Sequence, residues 1–485
     1  MRICTLAAGV VLLVATLGPA VAAEISEQRA RELQSALTRF LPDGFAESGV
    51  VTVKPADSRF EIVYELSKLL EKIDPKTLVI NGLEPLRMFA SPLDGDLWKV
   101  EGSESLDVSG QAKVPRGPTN HFNYTLGSIT FSGIFDDSIG TFRSGEAAIK
   151  DIQTTSITGA TKTATRIDSL QSRSEGSLNP DGRTIDVSST GTALAVHEQL
   201  TQPGMPPMVL KADNVAFNID LKGLMAPELR DLVSFALTHV EDGRIDRANG
   251  DRLDDLMRKA MPLFASFDET VTANNLTVGI PEGTMVAGQF EYRVQMEGLT
   301  NASRPQFGIR VSDFDVGTVV LPAAYTPFVP QTAEVQVAMP GLDFAAAVDR
   351  LLQFDPAQPD RIDRTELGEA ALAIFPGGAI EVEFPLFSAK SGVYDFEISG
   401  NLTSRIGRTE RVSVDLSILA RDFDKTIAAV QQAARIDPRL NQASFGLMMA
   451  KGFARADPDG TQHWDIRVSE GGAVTINGQA IKGAN

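Results

Sequence analysis

Cysteine is all but missing from this chain. The one residue, Cys4, stands in the N-terminal apolar run, so disulfides, thiol nucleophiles and thiolate metal sites are excluded for everything beyond it. Histidine is nearly as scarce. His121, His197, His239 and His463 stand at no metal-ligand spacing to one another, so a zinc centre would need distant segments to converge. Positive charge is in deficit as well, with 45 Lys and Arg against 63 Asp and Glu and a net charge of -18. A surface of that sign repels phosphates, which argues against nucleic acid and anionic headgroups as general electrostatic partners. Gly-x-Ser-x-Gly, phosphate-cradling loops and the dinucleotide fingerprint are absent, and no cofactor or metal is expected.

What is present begins with a processing segment. Arg2, the apolar run Ile3 to Leu17, the break at Gly18-Pro19 and the small residues Ala20 to Ala23 read as a signal peptide over residues 1–23. No other stretch approaches the roughly 20 apolar residues of a membrane helix. The expectation is an exported protein, periplasmic or secreted, with no transmembrane anchor in the mature chain.

Internal repetition is the strongest organising feature. Lys72-Ile73-Asp74-Pro75, Arg244-Ile245-Asp246-Arg247, Arg361-Ile362-Asp363-Arg364 and Arg435-Ile436-Asp437-Pro438 each follow a helix-like stretch. Each also precedes an aromatic strand, and these strands carry Trp98, Tyr292, Tyr394 and Trp464. The reading is an α+β fold of repeated helix-pair plus antiparallel β-hairpin units packed on long antiparallel sheets. Its divisions are the signal at 1–23, a first unit at 24–110, a β-rich region at 111–223, and further units at 224–340, 341–420 and 421–485. In the β-rich region Thr and Ser are abundant and apolar residues alternate, as in Thr184-Ile185-Asp186-Val187-Ser188 after the turn Asn179-Pro180-Asp181-Gly182.

Helix capping accounts for the Ile-Asp pattern, since Asp stands where a second helix would begin and Pro75 and Pro438 follow at its first position. Asp355, Asp363 and Glu366 have the spacing of a degraded calcium loop, but Asp360 stands where the sharp turn needs Gly. Trp98, Tyr292, Tyr394 and Trp464 read first as packing anchors and second as ligand-contacting aromatics. With 63 carboxylates, any acid pair is uninformative about catalysis, and no catalytic residue is assigned.

The C-terminal stretch Phe445-Gly446-Leu447-Met448-Met449-Ala450-Lys451-Gly452, the turn Asp457-Pro458-Asp459-Gly460, the strand His463 to Val468 and the closing Gly472 to Gly478 resemble the YdgA-like family of exported bacterial proteins. The resemblance implies an envelope location and a β-rich repetitive build, and it carries no catalytic residues. The functional expectation is a non-enzymatic envelope protein that binds a lipid, another elongated apolar ligand or an envelope partner along a sheet face. The alternatives are a hydrolase using a carboxylate pair and a purely structural or adhesive module. A continuous apolar groove on a sheet face would favour the first; convergence of two carboxylates and a His in a pocket would favour the second.

Overall fold

The computed structural model describes residues 25–38, 49–71, 74–94, 97–113, 117–137, 141–239, 247–317, 321–353, 364–406 and 408–483. Strand dominates it. All twenty-two described strands belong to one antiparallel sheet, with 57% of the described residues in strand and 21% in helix. The expected α+β build of repeated helix-pair plus hairpin units is therefore corrected: the helices are few and short, and the strands join by backbone hydrogen bonds from one hairpin to the next. Periodicity reports local elements but is blind to which strand edges pair.

The chain divides into two compact units, Met1–Pro207 with Ala216–Ala265 and Asp355–Arg361, and Met208–Val215 with Ser266–Phe354 and Ile362–Asn485. The first opens with the helix Glu27–Thr38, which Ser26 caps by accepting the Arg29 N–H at 3.3 Å. Short strands β1 (Val51–Ala56), β2 (Arg59–Tyr64), β3 (Leu78–Asn81) and β4 (Leu86–Pro92) follow. Then come long ones: β5 (Leu97–Lys113), β6 (Thr119–Asp136), β7 (Thr141–Thr158), β8 (Thr161–Leu178), β9 (Ile185–Gln202) and β10 (Met205–Leu224). These run to 20 residues, several times the usual strand length. Turns such as Asn179–Gly182, where Gly182 takes φ 69 and donates to the Asn179 carbonyl, let each strand reverse on the next. Ala30, Leu33 and Leu37 of the first helix pack with Val51, Phe60, Trp98, Val100 and Phe135 into the core of this unit.

The second unit contains β11 (Ser266–Ile280), β12 (Gly283–Glu297), β13 (Gln306–Ser312), β14 (Asp315–Val316), β15 (Thr332–Ala338), β16 (Ala379–Lys390), β17 (Asp395–Arg405), β18 (Arg408–Arg421), β19 (Arg455–Ala456), β20 (Gln462–Val468), β21 (Val474–Ile476) and β22 (Gln479–Lys482). Helices Phe344–Leu351 and Arg364–Ala373 lie between β15 and β16, and Phe423–Ala434 and Asn441–Phe453 between β18 and β19. Phe423 and Ile427 of the third of these pack on Ala420 and Trp464.

Of the four Ile-Asp segments only Arg435-Ile436-Asp437-Pro438 lies wholly within the described residues. Lys72-Ile73, Arg244-Ile245-Asp246 and Arg361-Ile362-Asp363 lie outside them, as do the signal segment 1–23 and Asp355 and Asp360 of the calcium-like spacing. In the fourth segment the Asp437 carboxylate accepts the Arg439 N–H at 3.1 Å and caps the 3-10 turn Pro438–Leu440. Asp74 likewise accepts the Lys76 N–H at 2.8 Å.

A crease crosses the long strands of the first unit. Glu104 and Leu106 of β5 are two residues apart, whereas their β6 partners Ile129 and Leu126 are three apart, which defines a bulge on β6. Asp151 of β7 and Ala195 of β9 take left-handed backbone, φ 54 and 52. Gly127 is required beside it, because the Asp151 Cβ stands 2.9 Å from where a Cβ at 127 would lie. The second unit repeats the device with Asn275, Gly288 and Asp313: the two polar residues take φ 52 and 50, and the Asp313 Cβ stands 2.9 Å from a Cβ at 288. Asn and Asp adopt this region more readily than other side chains.

Candidate functional site

Residues directly opposite each other on paired strands point to the same face of a sheet, so the register alone says which side chains form a row. In the second unit one row runs Val271, Tyr292, Ile309, Val335, Phe387, Ile398, Ile418, Trp464, one residue from each of eight successive strands. Every member is apolar or aromatic. The adjacent row on the opposite face reads Thr272, Glu291, Arg310, Glu334, Ser388, Glu397, Leu419, His463. One face of this sheet is thus apolar across eight strands, about 34 Å at the usual interstrand spacing, and the other is polar and charged.

The ends of the apolar row are closed and its middle is open. Val271 and Trp464 are buried, with Trp464 only 6% exposed under the helix Phe423–Ala434. Phe387 at mid-row is 40% exposed, and Phe307, on the same face opposite Val294, is 41% exposed. Large aromatic side chains exposed in the middle of an apolar sheet face are unusual on an isolated soluble surface.

The first unit carries a face of the same kind. Leu106, Leu126, Ile152 and Ile167 form one row, and Glu104, Ile129, Ile149, Leu170 and Ala193 the next. Because the β6 bulge keeps Leu126 and Ile129 on one side, the apolar stripe stays in phase across the crease. Phe131, Ala147, Ser172 and Gly191 form a further row, and with Phe217 they line a cavity of about 690 Å³. Gly191 is dictated there, since a Cβ would stand 2.3 Å from the Phe217 ring. Glu198 lies on the same face opposite Thr165, where burial raises its carboxyl above the ordinary range.

The four aromatics picked out in the sequence fall into different settings. Trp98, 7% exposed, is a core residue of the first unit with its ring edge-on to Phe60, 5.9 Å between centroids. Tyr292 and Trp464 belong to the one apolar row. The Trp464 indole N–H is committed to the Ala450 carbonyl at 2.7 Å and its ring packs edge-on to Phe423 at 5.1 Å. Tyr394 lies beside the row, not in it: it packs on Phe396 at 5.5 Å and donates its hydroxyl to the Phe328 carbonyl at 3.0 Å. Phe307, Ile309, Val335 and Phe387 escaped the sequence reading. The signal was there as alternation in Gln306–Ser312 and Thr332–Ala338, but short strands flanked by loops give it little weight.

Two carboxylates and a His do meet on the polar face. His463 Nε2 lies 3.0 Å from both Ser417 Oγ and Asp465 Oδ1, its Nδ1 lies 3.9 Å from Asp457, and Arg455 also contacts Nδ1. An Arg can only donate, so Nδ1 accepts and Nε2 carries the proton. A nitrogen that already holds its proton cannot take one from Ser417, and general-base activation of that hydroxyl does not follow from this geometry. Two cavities in the first unit, one at Phe131–Phe217 and one of about 480 Å³ lined by Asn179 and Ala265, include none of these residues. Among the described residues no group of three or more His, Cys, Asp or Glu could hold a metal ion, and no helix is long and apolar enough to cross a membrane.

Comparison with protein-family models, with curated proteins and with solved structures finds no match to this chain.

Proposed function

We propose that this protein is an exported, non-catalytic envelope protein that holds an extended apolar ligand of the acyl-chain kind along its apolar sheet face. The observation that carries the reading is the eight-residue row from Val271 to Trp464 with Phe387 exposed at its middle. Elongated and open, such a face matches a long flexible chain better than a compact small molecule. It also argues against a peptide. The strands of the row are paired in ladders, so a peptide lying across their side chains would leave its own N–H and C=O groups without partners. An acyl chain has none to satisfy. The signal-like N-terminal segment and the YdgA-like resemblance support export to the periplasm or outside the cell.

The test is extraction of the purified protein followed by lipid mass spectrometry, with parallel delipidation and reloading. Stoichiometric acyl lipid is the expected result. Protein that carries none, and takes up none on incubation with lipid, would sink the proposal.

A further inference from the structure

The helix pair Phe423–Ala434 and Asn441–Phe453 has two unlike sides. On the inner side Phe423, Ile427 and Leu447 pack against Trp464 at the end of the apolar row. On the outer side Phe445, Met448 and Met449 are 61%, 46% and 51% exposed, and Ile436 in the connecting turn is 71% exposed. Positions 445, 448 and 449 share one helical face. A soluble protein gains nothing by holding Phe and two Met in water there, and the sheet core beneath is already filled by the inner side.

Charge points to the occupant. Between Phe423 and Phe453 stand Lys425, Arg435, Arg439 and Lys451 against Asp424 and Asp437, a local excess of two positive charges in a chain of net charge -18. Arg439 pairs with Asp437 at 2.6 Å and Lys451 pairs with Asp424, so the excess is carried by Lys425 and Arg435. A short helix with an apolar outer face and basic flanks fits the headgroup and acyl boundary of an anionic bilayer. The repulsion that the whole-chain charge implies is inverted at this one place.

We infer that this helix pair docks on an anionic lipid bilayer through Phe445, Met448, Met449 and Ile436, with Lys425 and Arg435 facing the headgroups. The inference deepens the lipid reading, because the same helices cap the Trp464 end of the row and a bilayer is where its ligand would be collected or delivered. Flotation of the full-length mature protein with vesicles of phosphatidylcholine alone, or of an equimolar mixture with phosphatidylglycerol, tests it. The wild type should float with the mixed vesicles, several-fold less with the neutral ones, and less again at high salt. Phe445→Ser with Met449→Ser should reduce flotation about tenfold or more while leaving circular dichroism unchanged, and Lys425→Gln with Arg435→Gln should erase the preference for the anionic mixture.

Failure of the wild type to float with either vesicle, or wild-type flotation by the Phe445/Met449 double variant, would overturn the inference. So would a double variant that changes only from dimer to monomer, since a second copy of the chain would then be the occupant. Lipid mass spectrometry on the same preparations keeps the two proposals apart: lipid bound without flotation removes the docking surface alone, and flotation without bound lipid removes the apolar-face reading alone.

Discussion

Phe387→Asp separates folding from ligand retention more sharply than any other single change. Phe387 stands between Val335 and Ile398 in the row, with about three-fifths of its side chain covered. Full burial of a Phe side chain stabilises by about 1.5–3 kcal/mol, so removing this partly covered ring costs about 1–2 kcal/mol. That is a minor part of the roughly 5–15 kcal/mol that a folded protein holds. The new carboxylate can reach water in the free protein, because the site is 40% open. It cannot once an acyl chain lies over it, and stripping water from an unpaired carboxylate costs several kcal/mol. Retention should therefore fall by roughly a hundredfold or more, at about 1.4 kcal/mol per tenfold. Urea titration gives the first quantity as a shift in midpoint, and lipid mass spectrometry gives the second as lipid per protein. Phe387→Leu keeps the apolar surface and should keep the lipid. A folded Phe387→Asp protein with the wild-type lipid load would refute the argument, since no ligand could then be resting on the middle of this row.

Three further changes address the scaffold. Trp464→Phe removes the indole N–H from the Ala450 carbonyl and should lower stability by about 1–2 kcal/mol in urea titration; an unchanged midpoint would mean that this bond does not hold the helix pair to β20. Asp437→Asn tests the cap and its pH dependence. Hydrogen bonds from Arg439 and then Tyr325 hold the Asp437 carboxyl well below the usual range, so its stabilisation is present above the unfolded carboxylate value of about 4 and is lost as pH falls toward the folded value. The variant should be less stable than wild type at neutral pH and converge with it in acid, and a pH-independent difference in thermal unfolding would contradict the assignment. Ala195→Gly relieves a left-handed Ala in the crease and should stabilise by about 0.5–1 kcal/mol once the flexibility of Gly in the unfolded chain is allowed for, whereas a lower melting temperature would show that the Ala methyl packs.

Local chemistry was legible residue by residue. Asp437 caps the turn after Ile436, and Asp457–Gly460 turns with Gly460 donating to the Asp457 carbonyl. Each is decided within four or five residues. The alternating stretch Thr184–Ser188 opens a much longer strand, β9 (Ile185–Gln202), because sheet neighbours on both sides carry the chain straight through a bend that would otherwise end it. The repeat of helix pairs and hairpins misled for a related reason. Similar segments recurring along a chain say nothing about whether their strand edges close on themselves or join, and here the ladders join them.

The candidate site shows the same division. Tyr292 and Trp464 were picked out as aromatics in comparable strands, and the register does set them in one row; Trp98 and Tyr394 were picked out by the same rule and stand elsewhere. Nothing in the sequence distinguishes the two pairs, because membership depends on partners six or more strands away.

Composition alone left no cysteine beyond Cys4 for disulfide or thiolate chemistry, and alternation alone announced β-strands in the Thr- and Ser-rich region, because both are properties of single residues and their immediate neighbours. The tertiary structure decided which strand faces align into an eight-strand apolar row, that its ends are covered and Phe387 is not, and that the helices over Trp464 turn Phe445 and Met449 outward. Those outcomes rest on the succession of strand pairings that brings Val271 and Trp464 into one row, and a row built that way is set by the collective hydrogen-bond ladder and not by any local preference.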